Sequence, residues 1–452
     1  MKINKQTIAT FLFAAASWLP TCSFADDKSS SDTEPSKEIE QENWNAKFQG
    51  TYIGQHKPSF NAPYSGAFSL SPDRETSYST TLTAYLGFRP WKTGEIYFNQ
   101  EMISTFAFSN LRGLGGLTNA EQQKSNGRKP KYYRARIFLR QTFGLGGEQD
   151  AVESGPNQLA GMVDRRRWVV TVGTISPLDI FDVNAYAHDP RTQFVNWAFF
   201  THGSFDYASD ARGYTTGAAV EYFHDDWAFR VGRFQGPIES NGLRLNSRLG
   251  LFHGDQAEVE RSHSIYGQPG KIRLLGFRNR EIMGRFDEAI AFAAANGGTP
   301  DVGNVRRTNL KYGFGLSLEQ SLRSDVGVFA RASWADGKTE TYSFTEVENS
   351  LSAGISVKGD RWGRSKDTFG FAFAQNGLRG DHRNYLSLGG FGAFIGDGQL
   401  NYRPERLAEF YYNVSLHKTT SLMLGYQRIV NPGYNADRGP VNVGTLRLHT
   451  EF

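Results

Sequence analysis

The sequence predicts an all-β chain: an antiparallel transmembrane β-barrel of about sixteen strands with inward-folded loops. Three observations predict it. The chain ends on Phe452, and from there Thr450, Leu448, Leu446 and Gly444 alternate with Glu451, His449, Arg447 and Thr445. One face is apolar or small and the other is charged or polar, the pattern of a strand between lipid and a watery lumen. Soluble sandwiches alternate too, but a terminal Phe closing such a strand is typical of outer-membrane barrels. Second, Lys2 and Lys5 precede an apolar run from Ile8 to Leu19, and Ser23-Phe24-Ala25 offers small residues for a signal peptidase. This predicts a signal peptide at 1–25, cleaved after Ala25; Leu19-Pro20-Thr21-Cys22 fits a lipobox poorly. Third, mean hydropathy is −0.49 although 14% of residues are aromatic. That combination suits strands with one lipid face and aromatic girdles, and no stretch after the leader is long and apolar enough for a membrane helix.

Cys22 is the single cysteine and leaves with the leader, so an exported chain forms no disulfide. Loss of Lys2 and Lys5 lowers the formal charge from +4 to +2, which excludes a strongly basic nucleic-acid binder. Residues 26–42 are acidic and Ser-rich, and read as a disordered tail. The barrel domain is expected over 43–452.

The strands follow in order. Trp44, Ala46, Phe48, Gly50 and Tyr52 share one face, with Asn45, Lys47, Gln49 and Thr51 opposite. Tyr78 to Phe88 gives the clearest lipid face. Ile96 and Phe98 alternate with Glu95, Tyr97, Asn99 and Glu101. Tyr133, Ala135, Ile137 and Leu139 alternate with Arg134, Arg136, Phe138 and Arg140; Trp168-Val170-Val172 follows. Further strands are expected near 213–223, 227–234, 258–266, 271–278, 310–319, 325–335, 349–358, 367–376, 406–416, 421–429 and 441–452. An even number puts both termini on one side, the periplasmic one. Short turns then alternate with long outer loops at 53–76, 102–131, 174–212, 235–257, 279–309 and 377–405. The connection 144–165 is long on the short-turn side and breaks the rule; it reads as a small folded element or a miscounted strand pair. Sixteen strands of about ten residues use only about 160 residues, so some loops are expected to fold inward. Residues 281–295 have helical composition.

Enzymatic motifs are missing: there is no HExxH, GxSxG or Walker loop, and His417 and His449 have no evident nucleophile partner. The chain reads as a non-enzyme with no cofactor and no metal. Candidate solute contacts are Arg134, Arg136 and Arg140, with Arg134 and Arg136 about 7 Å apart on one lumen face. Guanidinium forks donate to sugar hydroxyls, Glu95, Asn99 and Glu101 accept from them, and Phe138 and Tyr97 offer aromatic faces. The plain alternative is that these charges only fill the lumen. The stretch 179–214 is dense in Asp, Asn, Arg and aromatics and reads as an inward constriction, with Trp197 and Tyr207 facing solute and Asp210 and Arg212 bracing the turn. A hydrogen-bonded plug is equally consistent with it. The spacing of Asp179, Asp182 and Asn184 matches no Ca²⁺ loop.

At these residues the chain resembles the carbohydrate-selective porins of the OprB family. The matching stretches are ARIFLRQTFGLGGE (135–148), DIFDVNAYAHDPRTQFVNWAFF (179–200), FDYASDARGYTTG (205–217), RASWADGKTE (331–340), FIGDGQL (394–400) and NPGYNADRGPVNV (431–443). They run in order through nearly all of the chain after the leader. The resemblance implies a sixteen-stranded outer-membrane barrel, passive uptake of monosaccharides such as glucose, and no cofactor or energy coupling. It implies Arg134, Arg136, Glu95 and Trp197 as constriction residues. Expected partners are small sugars, outer-membrane lipid and lipopolysaccharide, not nucleic acid; monomer and trimer both stay open. A general or small-carboxylate porin is the first alternative, a lipid-acting barrel enzyme the second and a plugged structural barrel the third.

Overall fold

The structure, a computed structural model, describes residues 39–125, 127–344 and 346–452. The expected leader and residues 26–38 of the expected tail lie outside the described residues. In chain order the strands are β1 (Trp44–Lys57), β2 (Glu75–Trp91), β3 (Gly94–Phe106), β4 (Lys131–Gly144), β5 (Gln149–Val152), β6 (Gly161–Asp164), β7 (Arg167–Ile175), β8 (Thr215–His224) and β9 (Trp227–Phe234). They continue as β10 (His253–Ile265), β11 (Gln268–Met283), β12 (Arg307–Arg323), β13 (Val326–Ala335), β14 (Asn349–Gly359), β15 (Arg364–Gly377), β16 (Glu405–His417), β17 (Thr420–Val430) and β18 (Val441–Glu451). All but β5 and β6 form one closed antiparallel barrel of sixteen strands, as the sequence pattern predicts. β1 closes on β18 in the register Gln49↔Glu451 to His56↔Gly444. The terminal residue completes the seam: Phe48 and Phe452 exchange backbone hydrogen bonds of 3.1 and 2.9 Å, and their rings stack at 6.4 Å.

Closure leaves no free edge, and the pleat then sorts side chains by solvent. On β18, Arg447 and His449 are 0% and 5% exposed, whereas Leu446 and Leu448 are 42% and 44% exposed on the outer wall. β2 repeats this: Thr81 and Thr83 point inward, and Leu82, Leu86 and Phe88 outward. No helix among the described residues is long and apolar enough to cross a membrane, and the crossings are made by strands.

One expectation needs correction, and of the two readings of 144–165 the small folded element holds. Glu281 to Met283 continue β11, and the helix in that loop starts later, at Phe286–Asn296. The exposed Asp287 and half-buried Glu288 sit in its first turn, where backbone N–H groups favour anions. The long connection after β4 is no miscounted barrel pair. β4 pairs directly with β7, and β5 and β6 form a separate hairpin at the end of the barrel that carries the short turns. Glu42, at the end of the expected tail, is held by this hairpin: its carboxylate accepts from Ser154 Oγ at 3.0 Å and Ala160 N at 2.9 Å.

Candidate functional site: the lumen constriction

Segment 176–214, between β7 and β8, runs inside the barrel. A buried loop must find partners for its backbone polar groups, and here the barrel wall supplies them. Arg331 of β13 donates to Asp182 Oδ1 (3.0 Å), the Phe199 carbonyl (3.0 Å) and the Ala187 carbonyl (2.7 Å). Arg447 of β18 donates to the carbonyls of Pro190 (3.0 Å), Thr192 (2.7 Å) and Gln193 (2.5 Å). Wall carboxylates accept in turn: Glu258 from Asp182 N (2.7 Å), Glu319 from Ala185 N (2.8 Å), and Glu409 from Val195 N (2.7 Å) and Asn196 N (3.0 Å). Asn196 also caps the short helix Trp197–Phe200, accepting from Ala198 N at 2.9 Å. Gly315 on the wall permits close approach, since a Cβ there would lie 2.7 Å from the His202 ring.

Two further loops join this segment. Loop 107–130 bonds to it through Trp197 N to the Leu117 carbonyl (2.9 Å) and Ala120 N to the Val195 carbonyl (3.0 Å), while Glu405 of β16 accepts from Gly115 N and Gly116 N. Loop 336–348 is held by Asp206, which accepts from Tyr342 N (3.0 Å) and Ser343 N (2.8 Å) and pairs with Lys311 at 3.2 Å.

The three loops and the wall enclose a cavity of about 300 Å³. Its aromatic side is a stack: Phe344 lies 4.9 Å from Trp197 and 4.2 Å from Tyr207, with interplanar angles of 23° and 27°. Its polar side is charged but paired. Arg136 grips Asp179 with two bonds of 2.7 Å and lies 5.0 Å over the Tyr214 ring. Burial would raise the Asp179 carboxyl, but the Arg136 guanidinium overrides it and holds it below the ordinary carboxylate range. Lys124 sits 3.1 Å from Glu121 and 3.6 Å from Glu101; burial opposes its charge, and the two glutamates raise it above the usual lysine value. Arg191, also at the cavity, is bound by Glu101 (2.7 Å) and Glu121 (3.0 Å). Arg212 lines the cavity 4.3 Å over the Tyr133 ring; its Nε is buried without a hydrogen-bond partner, and among the described residues no carboxylate lies within ion-pair distance of it.

The sequence-predicted residues divide accordingly. Arg136, Trp197, Tyr207 and Arg212 line the cavity together. Arg134 does not share their face. The β3–β4 register shifts between Asn99↔Arg136 and Gln100↔Arg134, so Ala135 is an extra residue and Arg134 turns to the exposed outer wall. Tyr133 turns inward instead and donates to Glu101. Arg140 and Glu95 line a second cavity of about 700 Å³ toward the short-turn end. Glu95 there accepts from Arg89 and Tyr97, both at 2.7 Å. Tyr97 and Phe138 stack at 5.0 Å within the packed core and line neither cavity, so neither meets solute. Asn99 and Glu101 are likewise buried, and Glu101 holds Arg191 and Lys124. Asp210 builds the 210–214 turn, accepting from Arg212 N (2.9 Å) and Tyr214 N (3.1 Å); burial pushes its carboxyl up to about 6. Of the remaining lining residues, Asp179, His188, Asp189, Arg191 and Tyr214 belong to the stretch whose composition marks it as a constriction. Lys124, Glu121 and Phe344 come from two other loops and carry no sequence signal.

A closed barrel with an apolar outer wall, a polar lumen and loops that narrow it defines a channel of the porin class. The family model for the carbohydrate-selective porins of the OprB family matches residues 76–452, and the chain belongs to that family, whose members are sugar porins of the bacterial outer membrane. The high-pH structure of Pseudomonas putida OprB superposes with a TM-score of 0.69 at 17% identity, covering 91% of this chain and 94% of that one. The outer-membrane channel DcaP of Acinetobacter baumannii gives 0.50 at 9% identity, covering 94% and 100%. At such identities these likenesses concern the fold. No curated protein matches the sequence.

Proposed function

We propose that this porin passes monosaccharides such as glucose by facilitated diffusion through the 300 Å³ cavity, with both termini and the short turns in the periplasm. One observation carries the reading: ion pairs and an aromatic stack face each other across one small space. A sugar ring has hydroxyls at its rim and C–H groups on its faces. The Arg136–Asp179 pair both donates to and accepts from hydroxyls, and the Trp197–Phe344–Tyr207 edges take the C–H surface. Because the charges are already paired, binding is weak, as conduction requires. Oligomeric state, monomer or trimer, leaves this path unchanged, since it lies wholly within one barrel. Liposome swelling tests the proposal: monosaccharides should enter faster than amino acids of equal size and faster than disaccharides. Rates that follow solute size alone would make it a general porin. Arg212, which has no carboxylate within ion-pair distance among the described residues, favours a second reading, small carboxylates, which competition between sugars and organic acids would separate.

A further inference from the structure

The hairpin after β4 is an excursion that barrel closure does not need, because β4 and β7 pair directly. Yet its tip is built into the lumen. Asn45 Nδ2 donates to the Gln158 carbonyl at 2.9 Å and to Ser154 Oγ at 3.1 Å. Leu159 N donates to Tyr97 Oη at 3.1 Å, and the Leu159 side chain is buried in the cluster holding Tyr97 and Phe138. Arg140 donates to the Asn157 carbonyl at 3.0 Å. Three strands of the wall, β1, β3 and β4, therefore fix this tip from one side.

Its position is specific. Pro156 and Asn157 line the 300 Å³ constriction cavity, whereas Gln158 and Leu159 line the 700 Å³ cavity beyond it. Asp179 lines both. The partition between the two spaces is thus made by the Arg136–Asp179 pair and the hairpin tip. Gly155 and Gln158 exchange backbone bonds of 3.0 and 3.1 Å across the tip, with Pro156 and Asn157 at its centre. Asn157 has φ +57°, the left-handed conformation that Asn tolerates after Pro in a tight turn. Its side-chain Oδ1 is buried and has no hydrogen-bond partner among the described residues. A buried acceptor in a solute cavity calls for a donor, and a sugar hydroxyl is one.

We infer that the β5–β6 hairpin is the second lip of the constriction, entering from the short-turn end, and that Asn157 Oδ1 accepts a hydrogen bond from a hydroxyl of the passing sugar. The inference deepens the proposed monosaccharide path and rests on it for the identity of the solute. Asn157→Gly removes the side chain and keeps the positive φ. In liposomes it should lower the ratio of monosaccharide to size-matched amino-acid swelling by about fivefold, the effect of one neutral hydrogen bond. An unchanged ratio overturns the role of Asn157. A second variant reads the position of the tip without reference to sugar. Cys22, the single native cysteine, lies in the predicted leader, so Pro156→Cys gives one reactive thiol. A bulky thiol reagent on it should cut single-channel conductance at least about twofold, since it fills a path already narrow. Unchanged conductance after complete labelling overturns the hairpin as a lip. A wild-type protein that shows no sugar preference, with labelled Pro156→Cys still blocked, refutes the sugar reading and supports the lip.

Discussion

Replacing Arg331 with Met should free the constriction loop while leaving the barrel closed. Arg331 is 2% exposed and donates to a carboxylate and two carbonyls of the inward segment. Its loss leaves Asp182 charged and fully buried, with Thr201 Oγ1 at 2.8 Å, His202 N at 2.9 Å and the His202 ring at 3.5 Å as its remaining partners among the described residues. Breaking one side of a buried ion pair costs about 3–5 kcal/mol. The orphaned carbonyls of Phe199 and Ala187 add to that, though not additively. The cost falls on the loop, because the ladders joining β13 to β12 and β14 are backbone bonds that the substitution does not touch. A penalty of this size multiplies the population of loop-out states by about 10²- to 5 × 10³-fold. Limited trypsin digestion reads this directly, since Arg191 is buried in the closed loop, and planar-bilayer recordings should show higher and noisier conductance. Asp182→Asn in the Arg331→Met background should recover part of the loss by removing the uncompensated charge. Cleavage and conductance indistinguishable from wild type would refute the claim that wall side chains hold the loop inward.

Three further outcomes follow from the same geometry. Arg136→Ala should widen the cavity, leave Asp179 unpaired, and lower sugar preference about tenfold by removing a charge-assisted donor; unchanged conductance and flux would count against that role, and Arg134→Gln, on the outer wall, serves as the silent control. Trp197→Leu keeps an apolar side chain, though a smaller one, and loses the aromatic ring; it should slow sugar swelling several-fold relative to size-matched amino acids, and an equal change in both would reduce Trp197 to packing. Acid should loosen the constriction through His202. Burial lowers its pKa to about 4 against an ordinary value of 6.5, so the unfolded loop binds a proton that the closed loop refuses. The neutral-ring stability is complete above pH 6.5, is lost as pH falls toward 4, and amounts to on the order of 3 kcal/mol. Tryptic sensitivity should therefore rise over that range and flatten in His202→Gln; a wild-type profile with no change between pH 7 and 4 would contradict it.

Period-two alternation made all sixteen barrel strands legible, because lipid outside and water inside impose opposite demands on successive residues. The same rule failed on β4. Tyr133 to Arg140 alternates without interruption, so nothing in the residues marks Ala135 as the extra one; only its pairing with β3 reveals the bulge. The crowded polarity of 179–214 marked an inward segment. Which charges remain for solute was not legible, because each is settled by a partner remote in sequence: Glu101 for Arg191, Asp182 for Arg331, and Pro190, Thr192 and Gln193 for Arg447. A run of arginines reads as a cationic wall until those partners are known. The aromatic stack shows the same limit. Trp197 and Tyr207 stand out in sequence, while the ring between them, Phe344, arrives from a loop with no distinctive composition.

Charge pairing in the lumen also bears on which solutes the path favours. An ion entering the cavity must compete with Asp179 for Arg136, or with Glu121 and Glu101 for Lys124 and Arg191, and gains little by replacing one charged partner with another. A neutral hydroxyl can join such pairs, donating to the carboxylate and accepting from the guanidinium, without separating them. Arg212 is the exception, with its Nε buried and unpartnered and no carboxylate bound among the described residues. Arg212→Gln should therefore lower organic-acid flux several-fold, as expected for loss of a charged donor, and leave monosaccharide flux nearly constant. Competition swelling with a small carboxylate and a hexose separates the two effects. If the substitution lowers hexose flux as strongly as carboxylate flux, Arg212 is part of the sugar path, and the paired charges are not what makes the lumen tolerant of neutral solutes.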